Sequence, residues 1–189
     1  MNTLEAAACA LTFGVDPEAI ADGIFDTDNV PGRMEAVKIP DTDISVYIDY
    51  AHTPDALENL LVTARNFAKD KKVTLVFGCG GERDRGKRKL MGAVATKYAD
   101  FTVITSDNSR SEDKNGIIND ILRGIDKEKR YTVIEDRESA IEYAITHANP
   151  GDIVLLAGKG HEKYEIDERG THTFDEAELV KKFVRKRKA

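Results

Sequence analysis

The stretch Val73-Thr-Leu-Val-Phe77, followed by Gly78-Cys-Gly-Gly-Glu-Arg-Asp-Arg-Gly-Lys-Arg88 and Lys89-Leu-Met-Gly-Ala-Val-Ala-Thr-Lys-Tyr98, decides the fold. Its first part is a short, nearly continuous apolar run. Such a run suits a parallel strand covered on both faces. Its last part carries Leu90, Met91, Val94 and Tyr98 at helical spacing. Between them lies a glycine-dense, basic loop. Strand, loop and helix in that order make half of a βαβ unit.

The same rhythm continues on both sides. Ile44-Ser-Val-Tyr-Ile-Asp49, Phe101-Thr-Val-Ile104, Tyr131-Thr-Val-Ile134 and Ile153-Val-Leu-Leu-Ala157 read as further strands. Helices are predicted from Thr53-Pro-Asp55 with Leu57, Leu60, Leu61, Ala64 and Phe67 apolar, from Ile117, Ile118, Ile121 and Leu122, and from Ala140, Ile141, Ala144 and Ile145. The expected fold is α/β, a Rossmann-like, mostly parallel sheet flanked by helices and joined by right-handed crossovers. Met34 to Ile39 and Ile44 to Asp49, with the turn Ile39-Pro-Asp-Thr-Asp43 between them, predict a hairpin. A second, terminal hairpin is expected around Arg169-Gly170, and a last helix from about Asp175 to Lys186. Two helices precede the pattern, one over Asn2 to Phe13 and one starting at Asp16-Pro-Glu18 with Asp as cap and Pro at the first position.

The 189 residues suffice for one ordinary domain with an appendage. The formal net charge of −6 argues against a general nucleic-acid binder. The basic tail Lys181 to Lys188 reads as a solvated helix end that complements the dipole. No stretch is apolar and long enough to span a membrane, and no signal-peptide pattern opens the chain. Cys9 and Cys79 lack metal-ligand spacing; Cys9 reads as core and Cys79 as a small filler of its loop. A reduced, cytoplasmic setting fits. Neither a metal cluster nor a Ser-His-Asp arrangement is visible.

In an open parallel sheet, loops at the carboxyl ends of strands share one edge, and ligands bind there. Four such loops carry chemistry: Asp49-Tyr-Ala-His52, the loop from Gly78 to Arg88, Ser106-Asp-Asn-Ser-Arg110, and Gly158-Lys-Gly-His-Glu162. Asp49 can accept from ribose hydroxyls, and His52 lies near a helix start that favours anions; both serve equally well as turn caps. The second loop offers close backbone approach through its glycines and charge through Arg83, Arg85, Lys87 and Arg88. It matches neither a Walker A loop nor a dinucleotide fingerprint. A basic first helical turn opposes the helix dipole, which favours a functional reason for it. In the third loop, the Arg110 fork suits a carboxylate, Asp107 an ammonium group, and Asn108 either. An Asx turn accounts for the same residues. In the fourth, Gly158 gives backbone access and Glu162 can pair with an ammonium group.

With Pro31-Gly-Arg-Met-Glu35 added, these loops in this order resemble the C-terminal domain of the Mur ligases, in particular those that add the third residue of the peptidoglycan stem peptide. The resemblance covers nearly everything from Val30 onward. It implies an ATP-dependent amide ligase: ATP phosphorylates the carboxylate of UDP-MurNAc-dipeptide, the incoming amino group attacks the acyl phosphate, and ADP and phosphate leave. It implies that Arg33, Asp49 and His52 contact nucleotide. Arg83, Asp107, Asn108, Ser109, Arg110, Gly158 and Glu162 would bind the incoming amino acid, and no catalytic or metal residue is assigned here. The family usually has Pro where this chain has Ser109, which loosens the turn without removing its charges. Arg110 implies meso-diaminopimelate rather than L-lysine, because the distal carboxylate needs a cation. Magnesium belongs to the complete enzyme, with ligands outside this chain. Residues 1–29 resemble the last helices of the family's central ATP-binding domain and residues 30–189 its C-terminal domain. The chain is therefore expected to be inactive alone, and its N-terminal helices to expose an apolar patch. The alternatives are a non-catalytic amino-acid or nucleotide-binding module, or a lysine-adding or folylpolyglutamate-type sister ligase.

Overall fold

The computed structural model describes residues 2–27 and 30–188. It divides into two compact units that meet in sequence at Val30 and Pro31. The boundary expected at residue 29 falls outside the described residues.

The first unit is a pair of helices, α1 (Asn2–Thr12) and α2 (Pro17–Asp26). Asp16 caps α2: its carboxylate accepts from the backbone N–H of Glu18 and Ala19. Pro17 occupies the first turn, where its missing N–H costs nothing. No residue of α2 is buried, and Leu4, Leu11, Phe13, Ile24 and Phe25 are exposed. Cys9 is exposed too, contrary to the core position expected of it. Two short helices enclose too little volume to cover an apolar face.

The second unit is a three-layer α/β sandwich. Its elements are β1 (Glu35–Ala36), β2 (Ser45–Asp49), α3 (Pro54–Ala68), β3 (Val73–Phe77), α4 (Gly86–Tyr98), β4 (Phe101–Ile104), α5 (Lys114–Leu122), β5 (Tyr131–Val133), α6 (Arg137–Thr146), β6 (Ile153–Ala157), the hairpin β7 (Tyr164–Asp167) with β8 (Gly170–Thr173), and α7 (Glu176–Lys188). The main sheet runs β1-β2-β6-β3-β4-β5. Every pairing in it is parallel except β1 with β2. The expected first hairpin is present with its leading strand cut to two residues.

Burial explains the layers. β3 and β6 are buried at every position, as their continuous apolar runs require. Val73, Leu75 and Phe77 pack with Leu57, Leu61 and Ala64 of α3, Met91 of α4 and Ile121 of α5. Val76, Val103, Val154 and Leu156 point the other way, against Ile141 and Ile145 of α6 and Val180 and Phe183 of α7. Each such fully buried aliphatic side chain stabilises by about 2 kcal/mol. Two apolar positions of the expected helices fall outside the core: Phe67 is 44% and Leu90 51% exposed.

Strands β3, β4 and β5 step outward in chain order, and β6 then returns between β2 and β3. The sheet reverses direction there. A crevice forms beyond the carboxyl ends of strands at such a point. The loops after β2, β3, β4 and β6 are the four singled out above.

Candidate active site at the carboxyl edge of the sheet

The four loops enclose one cavity of about 480 Å³. Tyr50 and His52 come from the first loop, Gly80, Arg83 and Lys87 from the second. Asp107, Asn108 and Arg110 come from the third, and Gly158 and Glu162 from the fourth. Tyr164 of β7 completes the wall.

The third and fourth loops are locked together beneath the surface. Lys159 is completely buried, and its ammonium donates to Asn108 Oδ1 at 3.0 Å. The backbone N–H of Ile166 donates to the same oxygen at 2.9 Å. With its oxygen doubly engaged, the amide turns Nδ2 outward, where it donates to Glu162 Oε2 at 2.8 Å. Asn108 thus holds Glu162 in place and keeps one N–H for a ligand. Asp107 accepts from Asn108 N at 2.6 Å and lies 3.8 Å from the Lys159 ammonium. Burial pulls the Lys159 pKa below the usual lysine range, and Asp107 opposes that pull. Gly158 has φ +117, and a Cβ there would sit 2.6 Å from Asp107 Oδ2. No L side chain fits that place and that backbone.

Under this pair lies a second buried cation, Arg137, at the start of α6. Its Nε donates to Glu176 Oε1 at 2.8 Å, Nη1 to Ser106 O and Nη2 to Ala157 O. The two carbonyls end β4 and β6 or begin the loops after them. One guanidinium therefore fixes the spacing of the two loops. Burial works against its charge, but Glu176 and Asp107 more than offset that and raise its pKa.

Arg110 adopts φ +55, uncommon for a residue with a side chain. Its N–H donates to Ile166 O. Its Nη1 donates to Gly81 O at 2.9 Å and Asn108 O at 3.2 Å, and Arg110 lines the cavity. Ser109 is buried, and its carbonyl would lie 1.9 Å from a Cβ on Gly81. Glycine at 81 is what lets the second and third loops touch.

The basic turn after the second loop has a structural explanation. Arg88 is completely buried and does not line the cavity. It forms a two-pronged pair with Glu112 and another bond to Asp120, while Arg85 also pairs with Glu112. The hydrogen bond from Arg88 pulls the Glu112 pKa down to about 2. Lys87 donates to His52 O at 2.8 Å. These contacts offset the unfavourable dipole term, so the charges need no ligand to account for them. Arg83 differs. It is exposed, and among the described residues its side chain makes only a long 3.4 Å contact to Glu82 O. Cys79 is buried with its thiol pKa pushed up to about 12 by burial, which makes it inert filler.

The first loop is organised around Tyr50. Arg33 stands 5.5 Å from the ring centroid, and the rings of His52 and His161 lie 4.6 and 5.4 Å from it. Asp49 does not line the cavity. Its two oxygens accept from Met34 N at 2.8 Å and Ala51 N at 2.7 Å, pinning the 31–34 segment to the end of β2. Among the described residues no three His, Cys, Asp or Glu side chains converge as metal ligands do.

The sequence reading missed Tyr50, Lys159, Arg137, Glu176 and Tyr164. Lys159, flanked by glycines at a strand end, was visible as a motif letter; its complete burial was not. Arg137 gives no signal, since an Asp-Arg-Glu helix start reads as solvated.

A parallel α/β sheet reversing at a crevice lined by Arg, Asn, Asp and Glu describes a ligand-binding α/β domain. Residues 32–160 match the family model described as Mur ligase, glutamate ligase domain, and the chain belongs to that family. It is 48% identical over 97% of its length to the UDP-N-acetylmuramoyl-L-alanyl-D-glutamate--2,6-diaminopimelate ligase of Syntrophomonas wolfei, and covers 38% of that protein. A solved structure carrying the same protein name superimposes with a TM-score of 0.78 at 39% identity, over 97% of this chain and 37% of the other. A folylpolyglutamate synthase from Thermotoga maritima shares 22% identity at a TM-score of 0.55, over 76% of this chain and 31% of that one; this shows the fold alone. The chain thus spans little more than a third of the curated relatives' length.

Proposed function

We propose that the chain is the amino-acid-receiving part of an ATP-dependent ligase that joins meso-diaminopimelate to UDP-MurNAc-L-Ala-D-Glu. One observation carries the reading: Glu162 and Arg110 line one cavity, on loops fixed by two buried cations, Lys159 and Arg137. Glu162 and Asp107 suit the ammonium group, while Arg110 and Arg83 suit carboxylates. A diamino dicarboxylate presents both. The name of the Syntrophomonas wolfei relative supports the same choice.

In this reading Arg33 and His52, gathered at Tyr50, face nucleotide, and Asp49 holds the segment that carries Arg33. The complete enzyme activates the dipeptide carboxylate as an acyl phosphate. The reacting amino group, in its neutral form, attacks the acyl carbon: the C–N bond forms, the C–O bond to phosphate breaks, the proton passes to solvent, and ADP remains from the first step. This chain's residues bind and orient the nucleophile. Magnesium chemistry, the phosphate-binding machinery and the binding of the UDP-MurNAc substrate fall to other parts of the enzyme. Residues 1–29 then belong to the central ATP-binding domain, which would cover Leu4, Phe13 and Phe25. Among the described residues no helix is long and apolar enough to cross a membrane, in keeping with a cytoplasmic enzyme.

Calorimetry on the purified chain tests the reading. Meso-diaminopimelate binds, and L-lysine binds more weakly. Arg110→Ala weakens meso-diaminopimelate by about tenfold, the worth of a charge-assisted bond, and removes the preference. Equal affinity of the unsubstituted chain for both amino acids would sink the choice of substrate. Phosphate release from ATP by the chain alone would overturn the division of labour.

A further inference from the structure

The opposite edge of the sheet holds a second cavity, of about 500 Å³, between the amino ends of β3, β4 and β6 and the last turn of α6. It shares no residue with the four-loop site. One wall is a stack of three rings. Phe101 and Tyr143 lie 6.1 Å apart at 29°, and Tyr143 and His147 lie 4.0 Å apart at 22°. Thr74 lines the floor at 8% exposure, and among the described residues its hydroxyl has no protein partner.

The charges around the mouth are not equivalent. Asp100 is spent on Arg65 and on the backbone N–H of Val73. Asp152 accepts from Lys72 N and from both nitrogens of Asn149. Among the described residues, Lys72 and Arg130 form no ion pair. Tyr143 O accepts from His147 N–H in the last turn of α6. What remains for a ligand is an aromatic wall, the Thr74 hydroxyl and, among the described residues, two cations without an ion pair.

We infer that this cavity is a second binding site, for a planar aromatic ring bearing a carboxylate or phosphate. The ring packs against the open edge of the Phe101–Tyr143–His147 stack, while Thr74 donates to the anion and Lys72 and Arg130 pair with it. Amide-resolved NMR on the chain tests it, with phenyl phosphate and benzoate as probes and inorganic phosphate and benzylamine as controls. The two aryl anions produce saturable shifts at Thr74, Phe101 and residues 143–147. If only one of them saturates, it identifies the anion the site takes. The controls do not saturate in the same range. Tyr143→Leu weakens the aryl anions about threefold to tenfold, the worth of an aromatic stack. Thr74→Val keeps the shape and weakens them as well, so an unfolded Tyr143→Leu protein leaves a second measurement. The inference fails if benzylamine binds equally well, if inorganic phosphate gives the same shifts, or if the aryl anions shift only Gly80, Asn108 and Gly158. None of these outcomes depends on the substrate of the four-loop cavity.

Discussion

The two sides of the candidate active site are built to opposite plans. On the side of the third and fourth loops, Asp107, Asn108, Ser109 and Lys159 are all buried, and the Asn108 side chain alone makes three bonds within the protein. On the side of the first and second loops, Arg33, His52 and Arg83 are exposed and meet mainly rings or a carbonyl. A buried, bonded side chain loses its rotamer freedom on folding; an exposed one loses it on binding, at a cost to affinity. One side therefore holds a preformed receptor. The other acquires its geometry only when a ligand or a neighbouring part of a longer protein supplies the missing contacts.

The sharpest way to break that contrast is to remove the strut under the rigid side. Arg137→Met leaves Glu176 buried without its cation, when its Oε2 already has no partner. It also strands the carbonyls of Ser106 and Ala157. Breaking a buried pair from one side costs about 3–5 kcal/mol, read as a lower urea midpoint. Arg137→Met combined with Glu176→Met recovers most of it, because a well-packed apolar pair is often as stable as a buried ion pair. A double variant no more stable than the single one would show that the two carbonyl bonds, not the charge pair, hold the loops.

Lys159→Met separates stability from binding. The buried ammonium is itself costly, as its depressed pKa indicates, and Met fills nearly the same volume. Stability should still fall, because the buried Asp107, 3.8 Å away, loses its cation, but by less than the about 3–5 kcal/mol of a pair broken at contact distance. Asn108 Oδ1, however, loses one of its two donors, so the amide is freer to turn and Glu162 loses its fixed partner. Affinity for meso-diaminopimelate should fall by about tenfold, the worth of a hydrogen bond to a charged group. A large stability loss with intact affinity would make Lys159 a pillar of the fold rather than a positioning residue.

The difference between the two sides also decides what the sequence could reveal. The alternation of apolar runs gave the parallel sheet, because strands buried on both faces must be continuously apolar. The glycines and charges after β2, β3, β4 and β6 gave the rim, because topology alone brings those ends together. The exposed residues of the rim could be read one letter at a time. The buried charges could not. Arg137, Arg88 and Glu176 look like solvated helix residues, and only three-dimensional packing turns them inward. The dipole argument about the basic turn at Arg88 went astray for that reason: its answer is Glu112, 24 residues further on, together with Asp120. Cys9 and Phe67 misled in the opposite sense. Their spacing was helical, but spacing does not say whether anything covers the helix.

The same pair, Arg88 and Glu112, gives the gentlest test. Glu112 has its pKa pulled from 4.5 to about 2 by the hydrogen bond from Arg88. A carboxylate whose folded pKa is depressed contributes stability above its unfolded pKa and loses it as pH falls through the folded one. The contribution of Glu112 is complete above about pH 4.5 and disappears toward about pH 2. Urea midpoints measured across that window should fall less steeply in Glu112→Gln than in the unsubstituted chain. A residual slope should persist from Asp167, whose carboxyl is held below the usual range by Arg169 and His172. Arg88→Met should flatten the Glu112 contribution while lowering stability at neutral pH, because Glu112 and Asp120 lose the buried cation between them and keep only the exposed Arg85 and Arg123. If Glu112→Gln keeps the full acid slope, the coupling between the second loop and α5 rests on the backbone contact of Gly81 and Ser109 instead, and Gly81→Ala becomes the variant that separates the loops.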